Sequence, residues 1–159
     1  MGHSMYQRIH DHLFRQAQAL RLLCTLENEE YDLLAARDVS AIASLEFSLQ
    51  ELIRQIAAEK SAVIHLLQGG KVLDYAALLP AEQGGSLRSL HAAIDRHEQQ
   101  ASRAASRNAR LSLALLDQNQ RVLQELSSKA IPRQATTYGR RGVMCYQKKP
   151  EASIISGSL

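Results

Sequence analysis

The chain has 159 residues and a formal net charge of +3, from 19 Lys and Arg against 16 Asp and Glu; 45 % is hydrophobic, 4 % is aromatic and there is no Trp. That length suits one modest domain or an extended bundle rather than two catalytic domains, and no apolar run approaches the roughly 18 residues of a membrane span. The opening MGHSMYQRIHDH carries no apolar stretch after its charges, so no signal peptide is expected, and Cys24 and Cys145 form neither a CxxC motif nor a disulfide framework.

Residues 6–36 contain no Pro or Gly, and Ile9, Leu13, Ala17, Leu20, Leu23 or Cys24, Tyr31 and Leu34 recur at helical spacings, which predicts one long helix. Glu27, Asn28, Glu29 and Glu30 read as a wet face interrupting that stripe. Arg37 and Asp38 mark a corner, and Asp38 can cap the next helix by accepting a backbone N–H.

The second helix has the cleanest pattern. Ile42, Leu45, Leu49, Leu52, Ile56, Glu59, Val63 and Leu66 follow a 3,4,3,4,3,4,3 spacing in which only Glu59 is polar. This is the seam of long helices packed at a shallow angle, and Ile53 and Leu67 widen it enough for a third helix to cover. Gln68, Gly69 and Gly70 end the helix. In the connection that follows, Leu73–Leu79 (LDYAALL) reads as a short helical turn, stopped by Pro80 and the Gly84–Gly85 pair.

A third helix is expected from Ser86 to about Ser128, roughly 60 Å long at 1.5 Å per residue. Leu87, Leu90, Ile94, His97, Ala101, Ala104, Asn108, Leu111, Leu115, Gln118, Val122 and Leu126 form its seam. Its middle, HEQQASRAASRNAR, is small and polar, so thin packing is expected there with Arg103, Arg107 and Arg110 exposed. Leu111, Leu113, Leu115 and Leu116 then cover more than one face, a surplus that suits a partner surface. Asn108 reads either as a seam residue that sets register or as a polar anchor beside that surface.

Residues 1–132 hold 14 basic and 15 acidic side chains, whereas residues 133–159 hold five basic and one acidic, so the positive balance belongs to the end of the chain. A near-neutral body argues against nucleic acid as partner. The stretch from Arg133 onward lacks sustained periodicity and reads as a flexible tail containing the cluster ATTYGRRGVMCY, a composition suited to a short motif that orders on binding.

No HExxH, Walker loop, GxSxG or GxGxxG is present. His10 and His12 are two apart and His91 and His97 six apart, so neither pair makes a clean ligand set on a helix, and these side chains read as ordinary helix surface or hydrated seam. No enzymatic activity, metal or cofactor is expected. The fold class expected is all-α: an elongated antiparallel bundle of three long helices with coiled-coil-like packing, a short helical turn in the second connection, and a flexible C-terminal tail. The domain boundaries are residues 5–132 for the helical body and residues 133–159 for the basic tail.

The order of these segments, with the corner AARDVSAIASLE, the stretch NARLSLALLDQNQRVLQEL and the closing TTYGRRG, resembles the FlgN family over roughly residues 6–142. The resemblance implies a cytosolic export chaperone of the flagellar type III secretion system that binds hook-associated proteins before export and visits the export apparatus at the membrane. By the same resemblance, Asn108, Leu111, Leu115, Asn119, Val122, Leu123 and Leu126 would contact the client. Tyr138, Gly139 and Gly142 match the family's Tyr-Gly ending and would dock to the export gate, whereas residues 143–159 match no family signature. The alternative reading is a self-associating coiled-coil adaptor without export clients, in which the leucine surplus is a homodimer seam.

Overall fold

The computed structural model describes residues 4–130. These are helical almost throughout: α1 (Met5–Ala36), α2 (Val39–Leu66), the short α3 (Val72–Ala77) and α4 (Ala81–Ala130). The described residues thus bear out the all-α class and hold four helices, the last much longer than the others. The chain divides into two compact units, Met1–Asp117 and Gln118–Leu159.

Local chemistry sets the helix ends. The Ser4 hydroxyl accepts from the Gln7 amide at 3.2 Å and opens α1. Arg37 closes it in the left-handed region (φ 57°), with its amide donating to the Leu34 carbonyl at 3.1 Å. The Asp38 carboxylate then accepts from the Ala41 amide at 3.0 Å, the cap expected from the sequence. At the end of α2, Gly69 (φ +83°) lets its amide turn back to the Ile64 carbonyl at 3.0 Å.

The start of α4 differs from the sequence reading. The helix begins at Ala81, not Ser86, and runs through the Gly84–Gly85 pair. Pro80 precedes it, where a missing N–H costs nothing, and its carbonyl accepts from the Gly84 amide at 2.9 Å. A Cβ at Gly84 would collide with the Ala76 carbonyl of α3. The glycine therefore serves close approach between α3 and α4 rather than helix termination.

Within the first unit, one core cluster draws Ile9, Leu13, Leu20 and Leu23 from α1, Leu45, Leu49 and Val63 from α2, Ala76 from α3, and Leu87, Ile94 and Ala101 from α4. Ile9 and Leu87 have no exposed surface. Interhelix contacts set the directions. Arg15 of α1 meets Glu59 far along α2, so those helices are antiparallel. Cys24 meets His97 and Asn28 meets Arg107, so α1 and α4 ascend together. Lys60 of α2 reaches Glu98 of α4, and since α4 ascends with α1 while α2 runs against it, α2 and α4 are antiparallel.

The seam positions of α2 face inward as expected: Leu45, Leu49 and Val63 are buried, and Leu52, Ile56 and Leu66 are partly so. Glu59, the polar exception, is explained by its partners. Its Oε1 accepts from Arg15 Nε at 2.8 Å, and its Oε2 lies 2.6 Å from His12 Nδ1. His12 is therefore engaged by α2 rather than simply solvated as its spacing had suggested. Ile53, expected to widen the seam, is 55 % exposed. Its side chain lies on the flank of the buried stripe rather than in it, because one residue past Leu52 is a rotation of roughly 100°.

Candidate partner-binding surface

The third seam of the sequence is preserved along α4 within the first unit. Leu87, Ile94, Ala101 and Asn108 are buried, and Leu90, His97, Ala104, Leu111 and Leu115 are intermediate. Small side chains bring α4 close to α1 here, and Arg103, Arg107 and Arg110 stay exposed.

Asn108 packs deep between α4 and α1. Its Nδ2 donates to the Glu27 carbonyl and to Glu30 Oε2, both at 2.7 Å. One side-chain amide thus ties main chain and side chain of α1 to a single level of α4, which is how a buried polar group sets register. Next to it, Arg107 donates to Asn28 Oδ1 at 3.0 Å and places its guanidinium 4.1 Å from the centre of the Tyr31 ring.

Glu27 corrects the sequence reading. Expected on a wet face, it is buried, and its Oε2 has no hydrogen-bond partner among the described residues. Burial, and then the nearby Glu30 charge, push its carboxyl up to about 7 against a partial offset from Arg107. Glu46 of α2 is also raised, by burial and by its proximity to Glu30. The missed signal lies in the spacing: Cys24 and Tyr31 leave a seven-residue gap whose inward position is 27.

The residues proposed from the sequence for client contact fall in different surroundings. In the first unit, Asn108 is committed to α1, while Leu111 and Leu115 are half-buried and Leu113 and Leu116 are 67 % and 53 % exposed. In the second unit, Asn119 is exposed, and Val122, Leu123 and Leu126 expose 50 %, 63 % and 58 % of their surface on a regular helix. Tyr138, Gly139 and Gly142 lie outside the described residues.

Among the described residues no group of three or more His, Cys, Asp and Glu is placed to hold a metal ion. None of their helices is long and apolar enough to cross a membrane. What the surface offers is apolar side chains on a helical frame, which suits reversible burial against another helix.

A family model described as FlgN protein matches residues 1–144. No curated protein and no solved structure matches the chain.

Proposed function

We propose, from the premise that the chain belongs to the FlgN family of flagellar export chaperones, that it binds hook-associated proteins through the apolar side chains of the later part of α4. The observation that carries this reading is the exposure of Val122, Leu123 and Leu126 on one helix. Water-exposed leucines at this density are costly unless a partner covers them. A client helix would lay its own apolar face on them, with Leu111 and Leu115 contributing where they emerge from the core. Covering a client's self-associating helix would keep it soluble and unassembled, with no ATP and no covalent step. Asn108 would act at one remove, by fixing the height of α4 against α1.

Delivery follows from reversibility. Binding must be strong enough to escort the client in the cytoplasm and weak enough to release it at the export gate. Tyr138, Gly139 and Gly142, on the basic stretch 133–159, are proposed to make the gate contact, with the surplus charge steering the approach.

Titration calorimetry of a hook-associated client against the Leu115→Ser, Val122→Ser, Leu126→Ser triple variant tests the reading. Loss of binding with helix content retained supports it, and unchanged affinity refutes the assignment. Tyr138→Ala should leave client affinity intact and weaken capture by the gate component. The rival, a self-associating adaptor, predicts a stable dimer by light scattering whose mass is unaffected by client.

A further inference from the structure

Beyond the leucine-bearing stretch, the first unit carries a second surface of different chemistry. An open cavity of about 540 Å³ lies along α4 beside α1. Arg103, Arg107 and Arg110 line it on one side of the helix, with Ser106 between them, Tyr31 at the α1 wall and Leu111 at one end. The spacings of four and three place the three guanidinium groups on one face over roughly 10 Å. Arg107 is occupied by Asn28 and the Tyr31 ring. Arg103 and Arg110 have no ion-pair partner among the described residues and are exposed.

We propose that this groove binds an acidic segment of a protein partner, with its carboxylates on Arg103 and Arg110 and an adjacent apolar side chain against Leu111. Three observations select this occupant. The guanidinium fork matches carboxylates with paired, directional hydrogen bonds. A polynucleotide would want an open aromatic face for its bases, but the Tyr31 face is taken by Arg107. Residues 1–132 hold 14 basic and 15 acidic side chains, so attraction here is local to the arginines and suits a short acidic segment held by two guanidinium groups better than a long polyanion. The groove neither needs nor implies an export client, and its test uses none.

The probe is a fluorescein-labelled synthetic peptide of repeating Glu-Glu-Leu, titrated with the full chain and read by anisotropy. Its counterparts are the same peptide with Gln for Glu, the same with Ser for Leu, a single-stranded oligonucleotide, and vesicles of anionic phospholipid. The proposal expects the Glu-Glu-Leu peptide to bind best. It also expects Arg103→Gln with Arg110→Gln to weaken that binding about fivefold or more, with the helical circular dichroism signal unchanged. Arg103→Glu with Arg110→Glu should weaken it further. Equal binding of the Gln peptide, indifference to both double variants, or tighter arginine-dependent binding of the oligonucleotide or the vesicles would each overturn it.

Discussion

Glu27→Gln should stabilise the protein at alkaline pH and remove a pH dependence that the native chain carries. Glu27 is buried on the α1 seam with one carboxyl oxygen unpartnered among the described residues, and its carboxyl is raised from 4.5 to about 7. A folded-state value above the unfolded one means that the native state binds the proton more tightly. Below about pH 4.5 both states are protonated and there is no penalty. Between about pH 4.5 and pH 7 the unfolded state releases its proton first, so stability falls as pH rises. Above that window the full cost of a buried charge applies. The shift from 4.5 to about 7, which already includes the offset from Arg107, corresponds to roughly 3 kcal/mol as an upper bound, and solvent screening lowers what is realised to about 1–3 kcal/mol. Gln has the same shape without the charge, so its variant should be more stable than the native chain by that amount at about pH 8 and by little at about pH 5. Urea unfolding followed by far-ultraviolet circular dichroism at both pH values measures the difference. Glu46 is raised too and adds to the same trend, so the comparison is the native chain minus the variant at each pH. A difference that does not grow between the two pH values refutes the assignment of a buried, destabilised carboxylate at position 27.

Glu59→Gln should act in the opposite sense. Arg15 first, and then His12, hold this carboxyl below its usual range, so its stabilisation is present above about pH 4.5 and is lost as pH falls through the lowered native value. The variant should cost about 1–2 kcal/mol at neutral pH and nearly nothing in strong acid, read from urea midpoints. Gly84→Ala should lower the thermal midpoint although alanine favours helix, because its Cβ meets the Ala76 carbonyl; about 1–3 kcal/mol is expected, and a raised midpoint would mean that α3 moves aside freely. Leu87→Ala, at a position with no exposed surface, should cost about 2–5 kcal/mol by denaturant titration.

Much of this protein was legible in one dimension. The 3,4 spacing of Ile42 through Leu66 and of Leu87 through Leu115 identified the faces that the helices bury, and Asp38 and the Gln68–Gly70 stretch marked ends that lie within a residue or two of those observed. Helix periodicity and capping are properties of neighbours in sequence, so the chain displays them without reference to anything distant. The leucine surplus after Asn108 was visible for the same reason.

What the sequence could not display was which seam positions meet one another. Asn108 and Glu27 are 81 residues apart, and Glu59 lies 44 from Arg15. Only the register of one helix against another makes Asn108 a tie to α1, makes Glu59 a partnered acid rather than a flaw in an apolar stripe, and buries Glu27 beside Glu30. The Gly84–Gly85 pair shows the same limit. Read locally it breaks a helix, whereas in the fold α3 lies so close that position 84 has no room for a side chain. Periodicity therefore determined the helices, their buried stripes and the exposed arginines. Tertiary register alone decided which charges are neutralised, which are stranded, and that Arg103 and Arg110 line an open groove.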